Sequence, residues 1–154
     1  MVIRWYTLVT NDLGKLPDFI AYYEKELEEA KKEVKILGKL EKNIAELPGI
    51  TEFRFNQLQE INAILNYMNI QLRKIKSKYY RKYREKYNRD LARLEAEKYA
   101  EGEDEVIDYE VLINEVALLS REWDGIMKGL ETKQWQLGHI VRLRVAGMED
   151  ISIG

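Results

Sequence analysis

The sequence predicts an all-α fold: a long antiparallel, coiled-coil-like helical hairpin followed by a C-terminal helical pair. Three observations carry that prediction. Two long stretches place apolar residues at alternating steps of three and four, only two prolines interrupt 154 residues, and the nine glycines fall mostly near the ends of the periodic stretches. A chain of 154 residues is long enough for one domain, or one protomer of an assembly.

Helix one is predicted over residues 16–47. Leu16, Ile20, Tyr23, Leu27, Ala30, Val34 and Leu37 follow the 3.5 period of a coiled-coil seam, which continues through Leu40, Ile44 and Leu47. Pro17 suits a first turn, where its missing N–H has no partner to lose, and Leu47-Pro48-Gly49 reads as the stop. Helix two is predicted over residues 51–93. After an aromatic start at Phe53 and Phe55, Leu58, Ile61, Leu65, Met68, Leu72, Ile75 and Tyr79 keep the same rhythm. Beyond Tyr79 the spacing becomes four, through Tyr83, Tyr87 and Leu91, so the stripe winds out of the seam. At about 1.5 Å per residue such a helix is roughly 60 Å long, whereas a compact globule of this size has a radius of gyration near about 15 Å. Its distal half is therefore expected to project, to pack on another protomer, or to break near Asn88.

Residues 94–108 read as an acidic linker centred on Glu101-Gly102-Glu103-Asp104-Glu105, with a short helix from Arg93 to Tyr99. Residues 109–146 hold the C-terminal helices. Asp108 is the expected N-cap of the third, whose apolar residues Val111, Leu112, Val116, Leu119, Trp123, Ile126, Met127 and Leu130 cover a broad core face. The fourth carries Trp135, Leu137, Ile140, Val141 and Leu143, with Gly147 as its stop. Gly125 and Gly129, four apart, suggest close helix packing. Met1 to Val9 has strand-like composition, and Ile151 to Ile153 is its candidate partner.

Composition narrows the chemistry. The absence of cysteine removes disulfides, thiol nucleophiles and thiolate metal sites, and a single histidine leaves little for imidazole ligation. His139 lies beside Ile140 with no Ser, Cys or Glu-x-x-His spacing to employ it, and Glu110 and Glu115 lack the Glu-x-x-His partner of a di-iron bundle. No glycine-rich phosphate loop is present. The expectation is a protein that is not an enzyme and uses no cofactor and no metal. No apolar run approaches the roughly 20 residues of a membrane span, and Met1 to Thr10 does not read as a secretory signal. A cytoplasmic location follows, the host cytoplasm for a phage-encoded chain.

Near-neutral net charge conceals segregation. Residues 71–93 hold ten Lys and Arg against two acids, a net plus eight, and residues 95–110 hold eight acids against Lys98, a net minus seven. Within the basic block, Arg73, Lys74, Lys76, Lys78, Arg81, Lys82 and Arg84 interleave with Tyr79, Tyr80 and Tyr83 in the run KYYRKYREKY. Cations neutralise phosphates, and aromatic faces stack on unpaired bases at about 1–3 kcal/mol each, so the combination suits single-stranded DNA. The competing reading has the tyrosines extending the packing stripe and the cations paired to the acidic segment folded back on them.

The blocks KIKSKYYRKY and WQLGHIVRLRVAGMED resemble the UvsY recombination mediators of T4-like phages, and LEKNIAELPGI, RFNQLQEINAILNYMNIQLRK and GIMKGLETKQWQLGHI are similar to uncharacterised proteins of T4-like marine cyanophages. The UvsY resemblance covers about a third of the chain. It implies a small helical protein that assembles into a ring, binds single-stranded DNA, and helps load a RecA-like recombinase onto strands coated by single-strand binding protein. Under it Lys74 and Lys76, ahead of the Tyr79–Tyr80 pair, contact DNA. Trp135, Leu137, Ile140 and Leu143 become the apolar contacts of a homo-oligomer. A longer N-terminal helix and a pI near 5.7 depart from that pattern. The expectation is a non-catalytic phage recombination or repair accessory. The alternative is a coiled-coil structural or protein-interaction protein with no nucleic-acid role.

Overall fold

The structure, a computed structural model, describes residues 4–85 and 93–147. It is all-α: α1 (Trp5–Asn11), α2 (Leu16–Val34), α3 (Leu40–Glu85), α4 (Arg93–Glu101) and α5 (Asp104–Val145), with a 3-10 turn at Leu13–Lys15. Among the described residues there is no strand, and no helix is long and apolar enough to cross a membrane. The chain divides into two compact units. One comprises the residues up to Ile20 together with Glu60–Ser120, the other Ala21–Gln59 together with the residues from Arg121 on.

In the first unit, Trp5 and Val9 stand four apart and bury one face of α1, with the Trp5 ring tilted against Phe19 at 6.3 Å. That spacing is why the N-terminus is helical and not the expected strand, since a helix turns both large side chains inward. Residues 151–153, the expected strand partner, lie outside the described residues. Asp12 ends α1 and accepts from the Gly14 N–H at 2.9 Å. Leu16, Phe19, Ile61, Ile64, Met68, Val106 and Val116 are almost wholly buried and form the core. Two polar ties cross it: Tyr67 Oη donates to the Thr10 carbonyl at 3.2 Å, and Ser120 Oγ to Asn62 Oδ1 at 2.6 Å.

In the second unit α2 lies on α3 and α5. Tyr23 meets Trp123 edge to face at 5.3 Å, and Trp123 Nε1 donates to the Arg54 carbonyl at 3.0 Å. Arg54, only 3% exposed, forks to Glu33 at 2.6 Å and Glu26 at 2.8 Å, and its Nη1 also reaches Gln57. Burial pulls its pKa down, but the two glutamates outweigh that and raise it, so this guanidinium stays charged. Lys133 Nζ donates to the Glu33 carbonyl at 2.7 Å, and burial lowers its pKa.

Several expected boundaries move. The first long helix stops at Val34, well short of residue 47. Gly38 adopts φ +81°, and Asn43 Nδ2 fastens the turn by donating to the Leu37 and Lys39 carbonyls at 2.8 Å each. Pro48-Gly49 does not stop a helix; it lies within α3. An interior proline costs about 3 kcal/mol, and the buried Leu47 beside it shows that packing outweighs the local preference. The second helix, expected over residues 51–93, is α3 over Leu40–Glu85, and the expected break near Asn88 lies outside the described residues. The acidic linker of residues 94–108 is mostly helical, because Ala96 and Ala100 bury four apart and Asp104 and Glu105 occupy the first turn of α5, where the helix dipole favours acids. The expected C-terminal pair is one helix. Asp108 is interior to it, and the buried series Trp123, Ile126, Leu130, Lys133 and Leu137 runs through the expected joint. Gly147 ends α5 as expected, at φ +78° with its N–H on the Arg144 carbonyl at 3.0 Å.

Candidate nucleic-acid interface

The distal half of α3 carries the basic block, and helical geometry sorts it by face. At 100° per residue, Arg73, Lys74, Ser77, Arg81 and Arg84 fall in one sector of about 100°, and all five are exposed. Arg73, Lys74 and Arg81 form no ion pair among the described residues. The opposite face, with Leu72, Ile75, Lys76, Tyr79 and Tyr83, is partly buried.

That inward face meets the acids of the α4–α5 turn and the start of α5. Tyr79 Oη donates to Glu105 Oε2 at 2.5 Å, and Tyr83 Oη donates to Glu103 Oε1. Lys78 reaches the same Glu105 oxygen at 3.2 Å, and Lys76 reaches Glu110 at 3.3 Å. The hydrogen bonds from Tyr79 and Lys78 hold the Glu105 carboxyl below its ordinary value. The same contacts raise the pKa of both donors. Tyr83 also stacks on Tyr99 of α4 at 5.3 Å and 27°. Lys78 sits 4.7 Å over the Tyr79 ring, and Lys82 lies 5.7 Å and 5.8 Å from the Tyr79 and Tyr83 rings.

The candidate residues thus separate by face. Lys76, Lys78, Tyr79 and Tyr83 are engaged by carboxylates. Arg73, Lys74, Arg81 and Arg84 face outward, and Lys82 lies over the tyrosine rings. Tyr80 is half-buried at the border, where it lines a pocket of about 420 Å³ with Lys76, Ser77, Arg93 and Glu97. Tyr87 lies outside the described residues. The folding back of acids on cations was legible from the opposed charge blocks. That the phenols would be the closer partners was not, because it depends on which helical face turns toward α5.

The candidate oligomerisation residues are also separated. Leu137 is 3% exposed and Ile140 half-buried, whereas Trp135 is 63% and Leu143 36% exposed. Of the two glycines expected at close packing, only Gly129 fits: a Cβ there would lie 2.8 Å from Val34 Cγ1, and one at Gly125 would meet nothing within 4 Å. His139 is exposed, and among the described residues no group of three or more His, Asp or Glu side chains converges as a metal site requires.

No protein-family model, curated protein or solved structure matches the chain.

Proposed function

We propose that the protein is a non-catalytic nucleic-acid-binding accessory that holds the phosphate backbone of single-stranded DNA along the outward face of α3. The observation that carries this reading is the exposed file of Arg73, Lys74 and Arg81, which no carboxylate of the described residues neutralises. A helix needs no such one-sided surplus for solubility, and a phosphate chain matches it by releasing counterions. Tyr80, at the edge of that file, supplies the aromatic face for one unpaired base in the pocket beside it. Tyr79 and Tyr83 serve a different purpose, holding α3 to the acids of the α4–α5 turn and the start of α5. The resemblance to the UvsY mediators gives this binding its context, recombination or repair in a phage-infected cell. There a homo-oligomer would cooperate with a RecA-like recombinase and single-strand binding protein, and repeated weak sites would bind tightly together.

Fluorescence anisotropy with a labelled oligonucleotide tests the reading. The triple variant Arg73→Ala, Lys74→Ala, Arg81→Ala should bind all sequences more weakly and lower the slope of log affinity against log salt by about 2, at about 0.7 per single-strand phosphate contact. Unchanged affinity and slope in that variant would refute it.

A further inference from the structure

Two helices of the first unit build the pocket beside Tyr80. Lys76 and Tyr80 stand four apart on α3, and Arg93, Glu97 and Glu101 stand four apart on α4, so each set shares one helical face. Between them they leave about 420 Å³. Ser77 belongs both to this lining and to the exposed sector that carries Lys74 and Arg81. Along the axis, Lys74 and Arg81 lie about 4.5 Å and about 6 Å to either side of Ser77, at about 1.5 Å per residue. A strand whose phosphates rest on those two cations passes the mouth of the pocket between them.

The charges of the lining are unevenly matched. Lys76 is held by Glu110 at 3.3 Å, and Arg93 gives its Nε to Glu97 Oε1 at 3.2 Å. Among the described residues Glu101 has no hydrogen bond or ion pair, and Tyr80 has neither a hydrogen bond nor a ring contact. Tyr79 and Tyr83 differ on both counts, since each donates to a glutamate and lies against a cation or another ring. A pocket whose unmatched charge is a carboxylate repels a phosphate. It accepts hydrogens instead, through two oxygens set side by side. The group that suits it is a neutral ring with paired donors, laid on the free face of Tyr80.

We infer that this pocket selects guanine from the bound strand, with Glu101 as the specificity-determining residue. Its two carboxylate oxygens match the N1–H and the 2-amino group, which guanine alone of the DNA bases presents side by side on its Watson–Crick edge. Adenine and cytosine place an amino group beside an acceptor nitrogen, and thymine sets a single N–H between two carbonyls, so each brings a lone pair against the carboxylate. Arg93 keeps its terminal nitrogens free among the described residues and supplies a donor for guanine O6, next to that edge. On the strand-binding reading of α3, on which this selection rests, the backbone held at Lys74 and Arg81 brings the base to the pocket.

The test is fluorescence anisotropy on the full chain, with a labelled oligo(dT) of about 12 nucleotides and the same strand carrying one central dG, dA, dC or deoxyinosine. The dG strand should bind about fivefold or more tightly than oligo(dT), and the dA and dC strands within about twofold of it. Deoxyinosine, which lacks the 2-amino group, should lose most of the gain. Glu101→Gln should erase the preference for dG, because its amide sets a donor beside a single acceptor. Glu95→Gln removes the same charge from an exposed position of α4 outside the lining and should keep the preference. Equal binding of the dG strand and oligo(dT) by the wild type would overturn the inference and leave the strand-binding reading standing, whereas no binding of either would overturn both. A preference that survives Glu101→Gln, or that deoxyinosine shares in full, would also overturn it. So would displacement of the dG strand by an equal concentration of dGMP, since the pocket would then belong to a free nucleotide.

Discussion

The Tyr79 hydroxyl lies 2.5 Å from Glu105 Oε2, and the same oxygen receives Lys78 at 3.2 Å. One carboxylate therefore holds a phenol and an ammonium of the basic helix at once. With Glu103 on Tyr83 and Glu110 on Lys76, it sets negative charge against the inner face of the segment proposed to bind a polyanion. Removing the charge of Glu103 and Glu105 should strengthen oligonucleotide binding. Glu103→Gln with Glu105→Gln is expected to raise affinity about three- to tenfold at low salt and less at high salt, since screening shortens the reach of the lost repulsion. Anisotropy at two salt concentrations checks it.

The same contact depends on pH in a defined sense. Glu105 is held below its ordinary value of 4.5, so the stability it contributes is present above that value and lost as pH falls through the depressed one. Tyr79 and Lys78 are raised above 10.0 and 10.5, so their contribution is present below those values and lost as pH rises through the folded ones. Tyrosine resonances of the α3–α5 contact should stay constant between about pH 5 and 9, within the standard values of these groups. They should shift below that window before global unfolding. A shift centred near neutrality would contradict this assignment.

Arg54 is a buried charge of the second unit, and truncation leaves Glu26 and Glu33 without the guanidinium they share. Arg54→Ala should cost about 3 kcal/mol, read from denaturant midpoints. Arg54→Lys should recover only part of that, because a single ammonium does not reproduce the fork that reaches both carboxylates.

Gly125 and Gly129 of α5 should respond oppositely to alanine. At Gly125 the new methyl meets open space and improves the helix, a gain of about 0.5–1 kcal/mol. At Gly129 it would press on Val34 Cγ1 from 2.8 Å, and the displaced end of α2 should cost about 1 kcal/mol or more. Thermal melts of the two single variants decide this.

Pro48→Ala should stabilise. The substitution restores an N–H to the Ile44 carbonyl and removes a ring clash within α3, for about 1–2 kcal/mol of the roughly 3 kcal/mol that an interior proline costs. A loss of stability would show that the proline ring contributes packing that alanine does not replace.

The sequence by itself determined that the chain is helical, which residues line most of the seams, and that positive and negative blocks oppose each other. Periodicity and charge are local properties, and Leu16, Tyr23, Leu27, Leu58, Ile61 and Met68 are buried where their spacing placed them. Only the tertiary structure decided where helices end and which atoms the charged blocks use. Pro48 and the acidic run both signalled breaks, yet α3 passes through the proline and the acidic run is largely helical, because burial of Leu47, Ala96 and Ala100 outweighs the local preference. Gly38, which the seam from Leu37 to Leu40 runs across, is where the chain turns. The rotation of α3 likewise set Tyr79 and Tyr83 on carboxylates and left Arg73, Lys74 and Arg81 outward. That choice is made by which face finds a partner, and a single helix cannot encode its own partner.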